Sequence, residues 1–168
     1  DKNTKTLINK EYIINNGSDN KCIKTYAYAV YSEDDSSLTF YKTSNTITEG
    51  SIYNGKKVTN LYKDFEDKIY TSALLVPWNN NRENIKKVIV HDVISPVSTA
   101  YWFYYFKNTS NMELTKLDTS NVKDMKYMFY WAGYYASSFT ITGLNEWNTS
   151  NVTDMLYMFR GAGHEAAS

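Results

Sequence analysis

A fifteen-residue sequence occurs twice in the second half of the chain, and this repeat limits the fold more than any other feature. Residues 119–133 read TSNVKDMKYMFYWAG, and residues 149–163 read TSNVTDMLYMFRGAG. An offset of 26 residues also aligns Tyr101-Trp102-Phe103 with Tyr127-Met128-Phe129, which indicates a more divergent first copy. Periods of roughly 20–30 residues are typical of stacked repeat units that bury apolar side chains against their neighbours. The sequence therefore predicts three units, at 85–110, 111–140 and 141–168.

Each unit is expected to contain one strand and one helix. The same offset aligns Val88 with Leu114, so ELTKLD (113–118) and GLNEWN (143–148) are predicted to be parallel strands. In the repeated sequence, apolar residues recur at intervals of three and four, as on one face of an α-helix. Asn121 would cap this helix and Gly133 would end it. The residues given these structural roles are Val122, Asp124, Met125, Met128, Phe129, Val152, Asp154, Met155, Met158 and Phe159.

The predicted fold class is an α/β solenoid of the leucine-rich-repeat type. Strands stack about 4.8 Å apart, whereas helix axes need about 8–10 Å. This mismatch would curve the stack, with strands on the concave side and helices on the convex side. At the open end of such a stack the core is exposed, so the chain is expected to be part of a longer repeat protein.

The N-terminal half is predicted to be a polar arm (1–25) followed by a β-rich cap region (26–84). In the cap, two runs rich in Tyr, Val, Thr and Phe flank the polar sequence SEDDSS, which predicts a β-hairpin of 26–32 with 37–43. Apolar residues spaced four apart predict a short amphipathic helix in Asn60–Tyr70.

The composition argues against several classes of function. The 18 basic and 18 acidic residues balance, and no basic patch suggests nucleic-acid binding. The single cysteine, Cys22, excludes an intramolecular disulfide and a zinc site built on cysteines. No apolar run is long enough for a transmembrane helix, and no signal peptide begins the sequence, so composition leaves both a cytosolic and a secreted location open.

No catalytic motif stands out, and we expect no enzyme activity and no cofactor. His91 and His164 lack metal-binding spacing, and His91 aligns with a strand position that predicts a packed side chain. The acidic pairs in Glu33-Asp34-Asp35 and Glu66-Asp67 could serve glycoside chemistry, although solvated charge explains them as well. A metal site on Asp92, Asp118 and Asn148 lacks the dense carboxylates of a calcium loop, so structural roles are favoured there.

Aromatic residues are abundant, with 16 Tyr, 7 Phe and 4 Trp. One tyrosine is kept in all three units yet points away from the predicted apolar helix face. It either forms an exposed stripe that binds a partner or packs laterally against the next unit, and the second alternative is favoured. The candidate partner-binding residues are Tyr101, Tyr127, Tyr157, Tyr130, Trp131, Tyr134 and Tyr135.

The segments LDTSNVKDMKYMFYWAG and GLNEWNTSNVTDMLYMFRGAG resemble the repeats of BspA-like leucine-rich-repeat surface proteins of bacteria. The resemblance covers about 26–43 and 85–163, and the chain departs from it by having Ala132 and Gly133 where a cysteine is often found. It implies a secreted or cell-surface module without catalysis, which presents a repeat surface for binding a protein of a host or another cell. The alternative hypothesis is a carbohydrate-binding module that uses exposed Tyr and Trp side chains.

Overall fold

The computed structural model describes residues 6–8, 11–16 and 19–166. This part of the chain consists of strands and turns and contains no α-helix. Within it, no helix has both the length and the apolar character needed to cross a lipid bilayer. Its helical elements are short 3-10 turns at Ala73–Leu75, Asn79–Asn81 and Leu144–Glu146.

Three strands near the N-terminus form a small antiparallel sheet: β1 (Thr6–Ile8), β2 (Glu11–Asn16) and β3 (Asp19–Lys24). The rest of the predicted arm, at 1–5, 9–10 and 17–18, lies outside the described residues. The predicted division of the chain into arm, cap and repeat units stays a prediction.

A six-stranded mixed sheet joins the cap region to the repeats. Its order is β11-β10-β9-β5-β4-β8, while β6 and β7 form a separate two-stranded ribbon. Strand β5 pairs antiparallel with β4 and parallel with β9, the first strand of the repeats, so the cap and the repeats share one sheet. The strands are β4 (Tyr26–Ser32), β5 (Ser37–Thr43), β6 (Ile52–Tyr53), β7 (Lys56–Lys57), β8 (Asn60–Lys63), β9 (Lys87–Val90), β10 (Asn111–Glu113) and β11 (Thr140–Thr142).

The predicted hairpin is confirmed, and the predicted helix in the cap is wrong. Strands β4 and β5 have the expected bounds and pair from Tyr26–Thr43 to Ser32–Ser37. The segment expected to be helical, Asn60–Tyr70, begins instead with β8, which pairs with β4. Its apolar residues do not share a face, because Phe65 is fully buried while Ile69 is largely exposed. Asp64, with φ +55°, turns the backbone between them.

The repeated sequence also folds without a helix, so the predicted α/β solenoid is wrong. It forms consecutive turns in three turn segments, which we define as residues 98–106, 124–132 and 154–162. Within the second segment, the N–H groups of Met128, Tyr130 and Ala132 donate to carbonyls three residues earlier. Apolar residues therefore recur every three or four positions, as they would in a helix, although the chain is a series of turns.

The turn segments are joined to one another by backbone hydrogen bonds. The N–H groups of the second segment at Met125, Tyr127, Phe129 and Trp131 donate to carbonyls of the third at 2.8–2.9 Å. The first segment is bonded in the same way to the second at 2.8–3.1 Å. Because hydrogen bonds set the spacing here, as they do between the parallel strands, the predicted mismatch between helix and strand spacing does not arise.

The offset of 26 residues is correct for the turn segments but wrong for the strands. The Tyr101 N–H donates to Lys126 O, as the alignment of Tyr101 with Tyr127 requires. In the sheet, however, Val88 pairs with Met112 rather than with Leu114. The strands also lie earlier than predicted, since 113–118 and 143–148 mostly follow β10 and β11 rather than forming them.

One apolar core runs from the cap through the second turn segment. At the junction of cap and repeats, the Phe40 ring stacks on Trp102 with centroids 5.5 Å apart, and the Trp78 indole N–H donates to Trp102 O at 2.6 Å. Farther along, Met112 and Phe129 are fully buried. The first turn segment therefore rests on the cap at one side and on the second segment at the other.

Candidate binding surface

The polar residues of the repeat hold the turns in place. The carboxylates of Asp124 and Asp154 each accept a hydrogen bond from the N–H two residues later, at 2.9 Å, and the Ser98 hydroxyl accepts the corresponding one at 3.2 Å. Asp118 and Asn148 do the same at 3.0 Å before each repeated segment. Such local bonds are typical of Asx turns.

These roles bear on the metal site considered from sequence. Asp118 and Asn148 are engaged in turns, and Asp92 accepts a hydrogen bond from the Lys42 N–H at 3.0 Å. Among the described residues, no group of three or more His, Cys, Asp or Glu side chains is arranged to hold a metal ion.

The repeated tyrosines form a column across the three turn segments. Tyr101 and Tyr127 stack nearly parallel, with an interplanar angle of 6° and centroids 5.1 Å apart. Tyr157 continues the column at 5.5 Å but is tilted by 54°. The first two rings are partly buried, whereas Tyr157 is exposed. These side chains thus pack laterally between units and also reach the surface, which combines the two alternatives that the sequence offered.

Further columns lie beside this one. Tyr104 stacks on Tyr130 at 5.2 Å, and Tyr105 stacks on Trp131 at 5.5 Å, both with interplanar angles of 10°. Trp131 also stacks on Tyr134 at 4.5 Å. Together the rings form one connected, partly exposed layer, which we call the tyrosine surface. Its members are Tyr101, Tyr104, Tyr105, Tyr127, Tyr130, Trp131, Tyr134, Tyr135 and Tyr157.

The backbone that carries this surface is unusual. Tyr101, Tyr105, Tyr127, Trp131 and Tyr157 have φ between +52° and +62°, in the left-handed region that bulky residues rarely occupy. Each such residue costs about 1 kcal/mol or more, which packing and inter-unit hydrogen bonds must offset. A helix cannot accommodate a left-handed residue at every fourth position, and this is why the turns do not merge into one.

The third turn segment ends this pattern with a glycine. Gly161, with φ +70°, stands where Tyr105 and Trp131 stand in the other segments. A Cβ on Gly161 would lie 2.6 Å from Trp131 Cδ1, so the glycine leaves room for the indole ring.

Two cations accompany the aromatic rings, and the sequence analysis did not identify them. Lys107 Nζ lies 4.6 Å from the centroid of Tyr105, 5.1 Å from that of Trp131 and 5.2 Å from that of Tyr135. The Arg160 guanidinium lies 5.0 Å from the centroid of Tyr157. The chain position of Lys107 just after three aromatic residues was the available signal, but only the fold brings it over rings of two units.

The phenols of the surface remain protonated at neutral pH. Burial raises the pKa of Tyr101 and of Tyr104 above the ordinary value, and the neighbouring Tyr105 raises that of Tyr104 further. A protonated phenol both donates and accepts hydrogen bonds, so the surface offers a partner apolar ring area together with polar hydroxyl groups.

The residues considered for catalysis occupy other places. His91 is exposed beside Asp92 and Tyr41, so the predicted packing of its side chain is wrong; Ile94, not His91, bridges Leu117. The carboxylates of the β4–β5 turn pair with lysines: Glu33 with Lys57 at 2.6 Å, and Asp35 with Lys56 at 2.8 Å. Glu66 pairs with Lys42 at 3.0 Å.

Burial would raise the pKa of Asp35, but the hydrogen bonds from Lys56, Ser37 and Lys87 lower it to about 2. A carboxyl with so low a pKa is ionised at neutral pH and is poorly suited to act as a general acid.

The two copies of the repeat differ in burial. Val122, Met125 and Phe129 are fully buried in the second turn segment. In the third, Met155 is 46% exposed and Phe159 is 48% exposed, although both align with buried residues. Met158 is buried, and Val152 and Asp154 are intermediate. The same sequence position therefore has a different environment in each unit.

Comparison with known proteins gives one match. The family model described as "Mycoplasma protein of unknown function, DUF285" matches residues 98–165. The matched range begins at the first turn segment and contains all three, together with every residue of the tyrosine surface. No curated protein and no solved structure matches the chain.

Proposed function

We propose that this chain is a non-catalytic module of a secreted or cell-surface bacterial protein, and that it binds a protein of a host or another cell through the tyrosine surface. The observation that carries the proposal is the continuous layer of nine partly exposed aromatic side chains, held in order by stacking between units. Tyr, Trp and Arg are the residues most enriched where protein interfaces contribute most to affinity. Aromatic side chains that are already ordered lose little conformational entropy on binding.

The stacking geometry favours a protein partner over a glycan. Sugars bind aromatic residues by lying on the ring face, but the faces of Tyr101 and Tyr127 cover each other, as do those of Tyr104 and Tyr130. What remains for a partner is mainly ring edges and hydroxyl groups. These suit the mixed apolar and polar contacts of a protein interface.

The surface location rests on two supports. The match of residues 98–165 to a Mycoplasma family supports a bacterial origin. The resemblance of the repeated sequence to BspA-like proteins supports a secreted or cell-surface location and a role in adhesion.

The test measures binding of the labelled chain to cultured epithelial cells and to a panel of immobilised extracellular-matrix proteins. The chain offers matched variants: Tyr135 is 56% exposed within the tyrosine surface, and Tyr26 is 47% exposed on β4, outside it. Tyr135→Ser is expected to weaken binding about tenfold or more, the usual effect of removing a residue that contributes strongly to an interface. Tyr26→Ser is expected to leave binding unchanged.

Pre-treatment of the cells identifies the class of partner. Protease treatment should abolish binding, and glycosidase treatment should not. Loss of binding after glycosidase treatment alone would favour the carbohydrate-binding alternative. Equal binding by the Tyr135 and Tyr26 variants would refute a role for the tyrosine surface.

A further inference from the structure

The third turn segment leaves a row of backbone donors without acceptors. In the second segment, the equivalent N–H groups donate to the third segment at 2.8–2.9 Å. In the part of the chain that the structure describes, the N–H groups of Met155, Tyr157, Phe159 and Gly161 have no such acceptor. This edge therefore offers donors at every second residue, in the register already used twice within the molecule.

Apolar side chains lie along the same edge. Met155, Leu156 and Phe159 are each about half exposed, whereas Met125 and Phe129, at equivalent positions one unit earlier, are fully buried. What buries Phe129 is the third segment itself, since the Phe159 ring stacks on it at 5.1 Å. The open edge thus has the same two components, backbone donors and apolar rings, that bind the third segment to the second.

The opposite end of the stack is closed. Trp102 in the first turn segment is covered by Phe40, and its carbonyl accepts a hydrogen bond from the Trp78 indole. A second copy of this chain therefore has no free first segment to place on the open edge. Two open edges facing each other would bring donor rows together without acceptors. The partner must instead supply carbonyl groups at alternate residues.

We infer that the open edge is a docking surface for a further polypeptide segment with the TSNV-x-DM-x-YMF pattern, which adds as a fourth turn segment. Its carbonyls, at the positions equivalent to Asp154, Leu156, Met158 and Arg160, accept from the free N–H groups. Its Phe covers Phe159 and its Tyr extends the column at Tyr157. The third segment docks on the second with the same register and the same residue types, which identifies the occupant. This inference is independent of what the tyrosine surface binds.

The experiment extends the chain by a copy of residues 139–166 placed directly after Ser168, which preserves the register of the third unit. Hydrogen exchange is measured by NMR at Met155, Tyr157 and Phe159. These N–H groups should exchange at least about tenfold more slowly in the extended chain than in the parent, because each gains a buried acceptor. The matched control carries the appended residues in scrambled order and should exchange like the parent. Unchanged exchange in the extended chain, or equal slowing by the scrambled copy, would overturn the inference.

A second measurement removes the dependence on folding of the extended chain. A synthetic peptide with the sequence of residues 137–166 is titrated into the parent chain to about 1 mM, the range of weak complexes. Amide shifts at Met155, Tyr157 and Phe159, without shifts in β4, support docking. If the extended chain does not fold and the peptide causes no shift, the inference is wrong. Protection of the same N–H groups by dimerisation of the parent, detected by sedimentation, would also contradict it.

Discussion

Two phenylalanines at the same position of the repeat should differ strongly in their contribution to stability. Phe129 is fully buried between Phe103, at 5.6 Å, and Phe159, at 5.1 Å. Phe159 has only Phe129 as a stacked neighbour and is 48% exposed. Sequence alone would give the two residues equal roles, so the comparison tests how position in the stack determines energetics.

The expected magnitudes follow from burial. Phe129→Ala should lower the free energy of unfolding by about 3–5 kcal/mol, because it removes a fully buried ring and leaves a cavity between two others. Phe159→Ala should cost about 1–1.5 kcal/mol, since roughly half of the hydrophobic burial is lost and the site opens to water. One aromatic pair, worth about 0.5–1.5 kcal/mol, is lost in this variant as well and forms part of that figure.

Urea unfolding followed by tryptophan fluorescence and by far-UV circular dichroism measures both losses. The midpoints should differ by the equivalent of about 2–3 kcal/mol at unchanged m-value. In thermal unfolding this corresponds to about 5–10 °C for a chain of this size. Equal losses for Phe129→Ala and Phe159→Ala would refute the proposed difference between a covered and an open turn segment.

Three further variants test particular contacts. Gly143→Ala should destabilise the chain by about 2 kcal/mol or more in urea unfolding, because φ is +94° and a Cβ would collide with the backbone of Thr115. An unchanged midpoint would contradict this. Asp35→Asn should cost about 1–2 kcal/mol at pH 7, because the pKa of Asp35 is lowered from 3.8 to about 2. The stability that this carboxylate provides is present above about pH 4 and is lost as the pH falls through 2, so the variant and the parent should converge there; a constant difference would refute the assignment. Trp78→Phe should cost about 1–3 kcal/mol, since it leaves the buried Trp102 carbonyl without its indole donor, and a neutral effect would argue against that hydrogen bond.

The cap shows what could be predicted from sequence. The β4–β5 hairpin was predictable because two runs of strand-forming residues flank a short polar turn, a local signal. The helix predicted over Asn60–Tyr70 failed because the spacing of Leu61, Phe65 and Ile69 has another origin. Leu61 lies on a strand, Phe65 enters the main core and Ile69 faces solvent. Trp78, a central core residue, lies in a polar loop sequence that gave no sign of burial.

The repeat region shows a different limit. The equivalence of Tyr101, Tyr127 and Tyr157 was visible in the sequence, and the structure stacks these rings in one column. The helix was not a correct interpretation, because turns with hydrogen bonds between residues three apart give the same apolar spacing. The informative signal was the aromatic and glycine content, since Tyr, Trp and Gly are weaker helix formers than Ala or Leu. Inter-unit hydrogen bonds, which decide between the two structures, have no sequence signature.

The account rests on the turn segments being joined to one another rather than each forming a helix. Scalar couplings across hydrogen bonds, measured by NMR on isotopically labelled protein, report this directly. The N–H groups of Tyr127 and Phe129 should couple to the carbonyls of Leu156 and Met158, thirty residues and one unit away. Couplings from Phe129 to the carbonyl of Met125, four residues earlier in the same segment, would show a helix instead and would contradict the account.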